Sequence, residues 1–106
     1  MRIIPRPTLL RFIDSLSGRH DHRAVKEAVE IWYHIASKAR WRNAAEIKQT
    51  FATASIVNAE RDVFNIKGND YRLIVAIDYE RSIVWIKWIG SHRDYDKVDA
   101  AKVQHD

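Results

Sequence analysis

Several residues between positions 64 and 96 could together act on a phosphodiester. Five of them are cations or proton donors that lie beside strand-like runs: Lys67, Arg72, His92, Arg93 and Tyr95. Lysine and arginine bind phosphate oxygens, and histidine exchanges a proton near neutral pH. Cleavage of an RNA backbone by its own 2′-hydroxyl needs both kinds of group. The combination therefore predicts a small ribonuclease.

The composition agrees with a small globular protein that favours polyanions. The chain has 106 residues, which is enough for one hydrophobic core, and we expect a single domain over residues 1–106. Eighteen lysines and arginines stand against fourteen acidic residues, for a net charge of +4. A surplus of this size favours contacts with phosphates without proving them.

The absence of cysteine excludes a disulfide scaffold and any Cys-ligated metal site. We expect neither a cofactor nor a metal, since residues 20–22, His-Asp-His, lack a clear third ligand. We interpret these residues as a loop whose Asp21 caps the next helix. The opening residues have no apolar run long enough for a signal peptide, and no segment could span a membrane. A soluble cytoplasmic protein is therefore expected.

Helical spacing dominates the first half of the chain. Apolar residues at this spacing predict a helix that ends at Gly18, with Pro7 in its first turn. A second helix is expected from about His22, because one stripe along it is apolar: Val25, Val29, Trp32, Ile35 and Ala36. Residues 41–51 predict a short third helix, with Asn43 as its N-cap and a glutamate three residues later.

The second half of the chain changes to the alternating pattern of strands. Together with the apolar start of the chain, this pattern predicts strands over residues 2–4, 61–66, 71–79 and 83–89. Gly68 and Asn69 are residue types that accept a positive φ in a tight hairpin turn. The polar residues 94–98 suggest a final helical turn.

Helices followed by an antiparallel meander predict an α+β fold, with the helices packed on one face of a small sheet. By parity, Leu73, Val75 and Ile77 share a face with Tyr71 and Tyr79. The opposite face is more mixed and consists of Arg72, Ile74, Ala76 and Asp78. We expect this face to be partly open, with the site at its polar ends. Trp85 and Trp88 have opposite parity, so at most one should lie on the open face.

Two late motifs carry a resemblance to a known family. They are residues 63–73, Val-Phe-Asn-Ile-Lys-Gly-Asn-Asp-Tyr-Arg-Leu, and residues 90–99, Gly-Ser-His-Arg-Asp-Tyr-Asp-Lys-Val-Asp. With residues 41–51 and the opening residues, they make the chain resemble HigB-type toxins of bacterial toxin–antitoxin modules, in the wider RelE/ParE-like group. The family usually has threonine where this chain has Ser91, and the hydroxyl is retained.

The resemblance implies a RelE-like fold and a type II toxin that cuts mRNA in the decoding site of the ribosome. It also implies a cognate HigA-type antitoxin with a helix-turn-helix, which silences the toxin and alone would contact operator DNA. Some relatives in the wider group poison DNA gyrase instead, so the fold does not decide the target. A gyrase inhibitor and an RNA-binding protein that blocks the ribosome without cleavage therefore remain alternatives.

For a metal-independent attack of the 2′-hydroxyl on the phosphate, each candidate residue has an expected role. Arg72 would clamp the scissile phosphate, and Lys67 would add a second positive charge. His92 would act as general acid or base, and Tyr95 would position the nucleotide or share the proton transfer. Further RNA contacts are expected from Asn69, Arg93, Asp96, Arg42 and Lys48. His92 and Tyr95 favour the enzyme, because a gyrase binder needs no proton-transfer groups.

Overall fold

The computed structural model describes residues 1–104 and has an α+β fold, which confirms the predicted class. Its elements are, in chain order, β1 (Arg2–Ile4), α1 (Arg6–Ser15), α2 (His22–Lys38), α3 (Ala44–Thr50), β2 (Ser55–Ile56), β3 (Arg61–Ile66), β4 (Tyr71–Asp78), β5 (Ile83–Ser91) and α4 (His92–Tyr95). Three helices thus precede most of the sheet. The single domain over residues 1–106 stays a prediction, and it includes two residues outside this description.

The five strands form one mixed sheet in the order β1-β5-β4-β3-β2. Neighbouring strands from β2 to β5 are antiparallel, as expected from the meander, whereas β1 runs parallel to β5. The first strand of the chain therefore depends on the last one for its pairing. The antiparallel pairing of β4 with β5 brings the last residues of β5 to the same end of the sheet as the β3–β4 turn.

The helices begin and end close to where the sequence predicts. α1 has its proline in the first turn, and the side chain of Asn43 caps α3 by accepting a 3.0 Å hydrogen bond from the Glu46 N–H. α2 buries four residues of its expected stripe, but Ile35 is 36% exposed. Within residues 1–104, no helix is long and apolar enough to cross a membrane.

The main core lies between the helices and one face of the sheet. Tyr71, Leu73, Val75 and Ile77 are buried on this face, as their alternation predicts. Phe64 is at the centre of an aromatic group, with ring centroids 5.1–6.2 Å from those of its neighbours: Trp32, Trp41 and Phe51. Burial of these large rings fixes the helices on the sheet.

A β-bulge in β5 changes the face of the residues that follow it. Ile74 pairs with Trp88, but the next residue of β4, Val75, pairs with Ile86, so one extra residue is inserted in β5. Trp85 and Trp88 therefore lie on the same face, opposite the helices. The expectation from simple parity, at most one tryptophan on that face, was wrong because parity assumes an uninterrupted ladder.

The face opposite the helices is also less open than the sequence suggests. The Arg61 side chain donates 3.0 and 2.8 Å hydrogen bonds to the carbonyls of Ala100 and Val103, which fixes the C-terminal segment across it. Val63 and Ile74 on this face are 2% and 0% exposed. The expected open face is thus largely covered, and exposed polar groups remain at the end of the sheet.

Candidate active site

A surface depression of about 420 Å³ lies at that end of the sheet, and we call it the histidine cleft. Three segments form it: the α1–α2 loop, the β3–β4 turn, and the junction of β5 with α4. Its lining residues are Arg19, His20, Asp21, Lys67, Asn69, Asp70, Tyr71, Ser91, His92 and Arg93. Four residues that the sequence predicts for the site, Lys67, Asn69, His92 and Arg93, are therefore brought together here.

The β3–β4 turn places Lys67 and Asn69 on one side of the cleft. The positive φ angles belong to Lys67 (52°) and Gly68 (63°), so the expectation of a positive φ at Asn69 was wrong. Asn69 instead accepts hydrogen bonds from Arg72 through its carbonyl, at 2.9 Å, and through its side-chain oxygen. The ammonium of Lys67 lies 2.8 Å from the carboxylate of Asp70. The turn is therefore held by side chains at both of its ends.

His92 is positioned by the backbone on both sides. Its N–H donates a 2.8 Å hydrogen bond to the carbonyl of Asp70, which ties α4 to the turn. The hydroxyl of Ser91 accepts a 3.1 Å hydrogen bond from the Asp94 N–H, so α4 begins at His92 rather than at residue 94. The ring is 43% exposed, with Nε2 3.7 Å from a carboxylate oxygen of Asp96. That ion pair exists only when His92 is protonated.

The α1–α2 loop forms another part of the cleft, and Asp21 holds it in place. Asp21 occupies the N-cap position of α2, but its side chain does not cap the helix as the sequence suggests. It accepts a hydrogen bond from the Tyr71 hydroxyl and another, at 3.3 Å, from Arg19 Nε. The Tyr71 bond is the main reason that the pKa of Asp21 is lowered, and burial is the main reason that the pKa of Tyr71 is raised.

Two of the four predicted catalytic residues do not line the histidine cleft. Arg72 is 9% exposed and faces away from the helices, where its guanidinium carbon is 5.8 Å from the centre of the Tyr95 ring. Tyr95 packs in turn against Trp88 at 6.3 Å. Strand alternation explains this separation, because the neighbouring Tyr71 points to the helices. Arg72 is connected to the cleft through its bonds to Asn69 and to the Tyr71 carbonyl.

The predicted RNA contacts in the helical half also lie elsewhere. Arg42 is 84% exposed and forms a two-point ion pair with Glu46 at 2.8 and 3.0 Å. Lys48 donates a 2.8 Å hydrogen bond to the Ala54 carbonyl. Neither residue lines the cleft, and Asp96 touches it only through His92. These three positions remain predictions.

Sequence reasoning missed Arg19 and His20 as members of the cleft. The only local signal is the polar run at residues 19–22, which a plain loop explains equally well. Their membership depends on the Asp21–Tyr71 contact, which joins positions fifty residues apart. A contact between residues so far apart in sequence leaves no local pattern from which it could be predicted.

A second depression, of about 540 Å³, adjoins the histidine cleft and shares Arg19, Tyr71, Ser91 and Arg93 with it. Lys97 is added on its far side. Among residues 1–104, Arg93 and Lys97 have no ion-pair partner within 4.0 Å. The two depressions together thus carry four cationic side chains beside three carboxylates: Arg19, Lys67, Arg93 and Lys97, with Asp21, Asp70 and Asp94.

The fold and the site define a class: a small α+β protein with a polar site at the end of its sheet. Residues 25–98 match the model of the HigB toxin family, the RelE-like toxic component of a toxin–antitoxin system. The match spans well over half of the chain, so the chain belongs to this family. A toxic component of this kind implies an antitoxin partner. Among proteins with curated descriptions, none is significantly similar to the chain.

Proposed function

We propose that this toxin is a ribosome-dependent mRNA endoribonuclease that inhibits translation. The single observation that supports the proposal most is that His92 lies with Lys67 and Arg93 in one exposed cleft. A group that moves a proton beside cations that bind a phosphate is the minimum set for cleaving RNA. Translating ribosomes would place its action in the cytoplasm.

The proposed reaction uses the RNA's own 2′-hydroxyl. The 2′-oxygen loses its proton and attacks phosphorus, and the bond from phosphorus to the 5′-oxygen breaks. The products are a 2′,3′-cyclic phosphate and a 5′-hydroxyl that has gained a proton. His92 supplies one of these proton transfers, while Lys67 and Arg93 offset the charge that develops on the phosphate oxygens.

The geometry supports other roles for Arg72 and Tyr95 than the sequence alone predicts. Arg72 donates to the Asn69 carbonyl, to the Asn69 side chain and to the Tyr71 carbonyl. A clamp on the scissile phosphate would require the guanidinium to leave these partners. We therefore propose that Arg72 positions the turn that carries Lys67, and that Tyr95 supports Arg72 from the other side.

The adjoining depression offers a path for the rest of the message. Arg19, Arg93 and Lys97 would contact phosphates next to the scissile one, without reading bases. Arg42 and Lys48, which lie away from both depressions, would contact ribosomal RNA through shape and charge. Each such contact adds to the salt dependence of ribosome binding. The proposed silencing partner is a HigA-type antitoxin.

Primer extension on a translated mRNA tests the proposal. The message is probed after a brief pulse of toxin, with and without active ribosomes, for the native chain and for His92→Ala. We expect cuts inside the reading frame that require ribosomes and disappear with the variant. His34→Ala is the matched control, because His34 is an exposed histidine of α2 outside both depressions.

The other outcomes identify the alternatives. Growth arrest without cuts, together with relaxed plasmid DNA, would indicate a gyrase inhibitor. Arrest with stalled but intact messages would indicate a ribosome-binding protein without nuclease activity. Cleavage that persists in the His92→Ala protein would reject the assignment of His92 while keeping the endoribonuclease.

A further inference from the structure

We infer that His20 is a second proton-transfer residue, which acts on the same phosphodiester from the α1–α2 loop while His92 acts from the end of β5. The inference rests on the proposed ribonuclease function and extends it. His20 lies on the α1–α2 loop, and His92 follows β5, yet both line the histidine cleft. The residues matched to the HigB family begin at position 25, so the match includes His92 and not His20.

The loop that carries His20 is fixed on both sides of it. The N–H of Arg19 donates 3.0 Å to the Leu16 carbonyl, and the N–H of His22 donates 3.2 Å to the Arg19 carbonyl. Asp21 anchors the loop to the sheet through the Tyr71 hydroxyl. Three contacts over four residues leave the His20 backbone little freedom. A catalytic side chain gains from such a fixed position.

The reaction needs two proton transfers, one from the 2′-hydroxyl and one to the 5′-oxygen. These two oxygens lie on opposite sides of the phosphorus during in-line attack, so one residue cannot easily serve both. Two histidines carried by different segments of the cleft, His20 by the α1–α2 loop and His92 by the start of α4, meet this requirement. One accepts the 2′-proton as the P–O2′ bond forms, and the other donates a proton as the P–O5′ bond breaks. Cyclic phosphate and a free 5′-hydroxyl result, with one proton gained and one lost by the protein.

The other residues that could transfer the second proton, Lys67 and Tyr95, are poorer candidates. Lys67 is held by Asp70, which raises the pKa of its ammonium and makes it a weaker proton donor near neutral pH. Tyr95 packs against Trp88 on the opposite face of the sheet. Histidine can both accept and donate a proton, and among the residues described as lining the cleft only His20 and His92 are histidines.

Single-turnover cleavage of mRNA bound to ribosomes, measured across pH, tests the inference. We expect His20→Ala to slow cleavage by about 10²–10⁴-fold, the usual effect of losing a general acid or base. The variant should also lose one limb of a bell-shaped pH profile, and His92→Ala should lose the other limb. The charged and titratable groups near the two rings stay the same throughout: Arg19, Asp21, Lys67, Asp70, Tyr71, Arg93 and Asp96.

His22→Ala is the matched control. His22 is two residues from His20 but lies along the groove between α1 and α2, outside the cleft. We expect its rate and pH profile to equal those of the native toxin. Circular dichroism of all three variants checks that each is folded, and His20→Asn repeats the test with a side chain that keeps hydrogen bonding but does not titrate.

A substrate with sulfur in place of the 5′-oxygen then identifies the acid. A thiolate leaves without protonation, so the variant that lacks the general acid should recover its rate on this substrate. The variant that lacks the base should not recover. We expect one histidine variant to be rescued and the other to remain slow.

The failures of the two proposals are distinguishable. If the native toxin cuts no message on ribosomes, the proposed function fails and the role of His20 fails with it. If the native toxin cuts and the folded His20→Ala and His20→Asn proteins keep its rate and both limbs of its pH profile, only the inference about His20 is overturned.

Discussion

The hydroxyl of Tyr71 donates a 2.5 Å hydrogen bond to the carboxylate of Asp21, fifty residues earlier in the chain. Tyr71 begins β4, and Asp21 precedes α2, so this bond joins the helical layer to the sheet at the edge of the histidine cleft. The two residues are 4% and 8% exposed. A charged acceptor in a mostly buried place makes the bond stronger than an exposed one.

Removing this hydroxyl should therefore loosen the α1–α2 loop. For Tyr71→Phe we expect a melting temperature several degrees lower, because the Asp21 carboxylate loses its best donor while staying buried. Thermal denaturation at neutral pH measures the effect. Tyr79→Phe is the comparison, since the Tyr79 hydroxyl is buried near the Asp62 carboxyl but has no hydrogen-bond partner among residues 1–104. A smaller decrease in melting temperature for Tyr71→Phe than for Tyr79→Phe would contradict the anchoring role of the Tyr71 hydroxyl.

Asp62 should make the protein less stable as the pH rises. Burial raises the pKa of this carboxyl to about 6, and the nearby Tyr79 hydroxyl offsets only part of the rise. Asp62 is 1% exposed, and its Oδ1 has no hydrogen-bond partner within the described part of the chain. The folded protein thus holds this proton more tightly than the unfolded chain, whose carboxyl has a pKa of 3.8.

The contribution of protonated Asp62 to the free energy of unfolding is fully present below pH 3.8 and is lost as the pH rises through about 6. The whole change amounts to on the order of 3 kcal/mol in the free energy of unfolding. Urea denaturation of Asp62→Asn, which stays neutral, should show this part of the pH dependence abolished and a higher stability near neutral pH. An unchanged pH dependence in the variant would mean that other groups produce it.

Gly90 should not tolerate a side chain. A Cβ built there would lie 2.4 Å from the ring of Trp88, so the ring or the strand would have to move. We expect Gly90→Ala to cost about 1–3 kcal/mol, as overpacking usually does, and to shift the tryptophan fluorescence. Gly68→Ala is the comparison: no atom lies within 4 Å there, and only its φ of 63° opposes the change. Equal fluorescence spectra for the two variants would argue against the clash.

Arg72 and Asn69 should behave as one unit. If Arg72 positions the turn through Asn69, then Arg72→Ala and Asn69→Ala should each reduce cleavage, and the double variant should be little worse than Arg72→Ala. The stability cost of Arg72→Ala should be about 1–3 kcal/mol, because the buried carbonyl of Tyr71 loses a donor. Single-turnover rates for the three variants decide the matter. A far larger loss of rate for Arg72→Ala than for Asn69→Ala would instead favour the phosphate clamp.

The local patterns predict the elements of this fold well. The Asn43 cap and the alternation from Tyr71 to Ile77 depend on neighbours in sequence, and both are confirmed. The bulge in β5 was not predicted, because the pairing of Trp88 with Ile74 depends on another strand. Any parity argument that crosses such a bulge gives the wrong face.

The site was predictable only in part, for a similar reason. Lys67 and His92 lie in two motifs at ends of strands, and the antiparallel pairing of β4 with β5 brings those ends together. His20 enters through a loop that the long-range contact of Asp21 with Tyr71 holds against the sheet. As an arginine, Arg72 is a residue type that binds phosphate, but the face of the sheet that it occupies directs its guanidinium to Asn69.

The order of strands has a consequence for how the toxin is made. β5 lies between β1 and β4, so β1 has no partner until nearly the whole chain has been synthesised. His92 follows directly after that strand. A nascent chain that is still being translated therefore has neither the complete sheet nor the complete histidine cleft. Premature stop codons anywhere before β5 should accordingly yield harmless products.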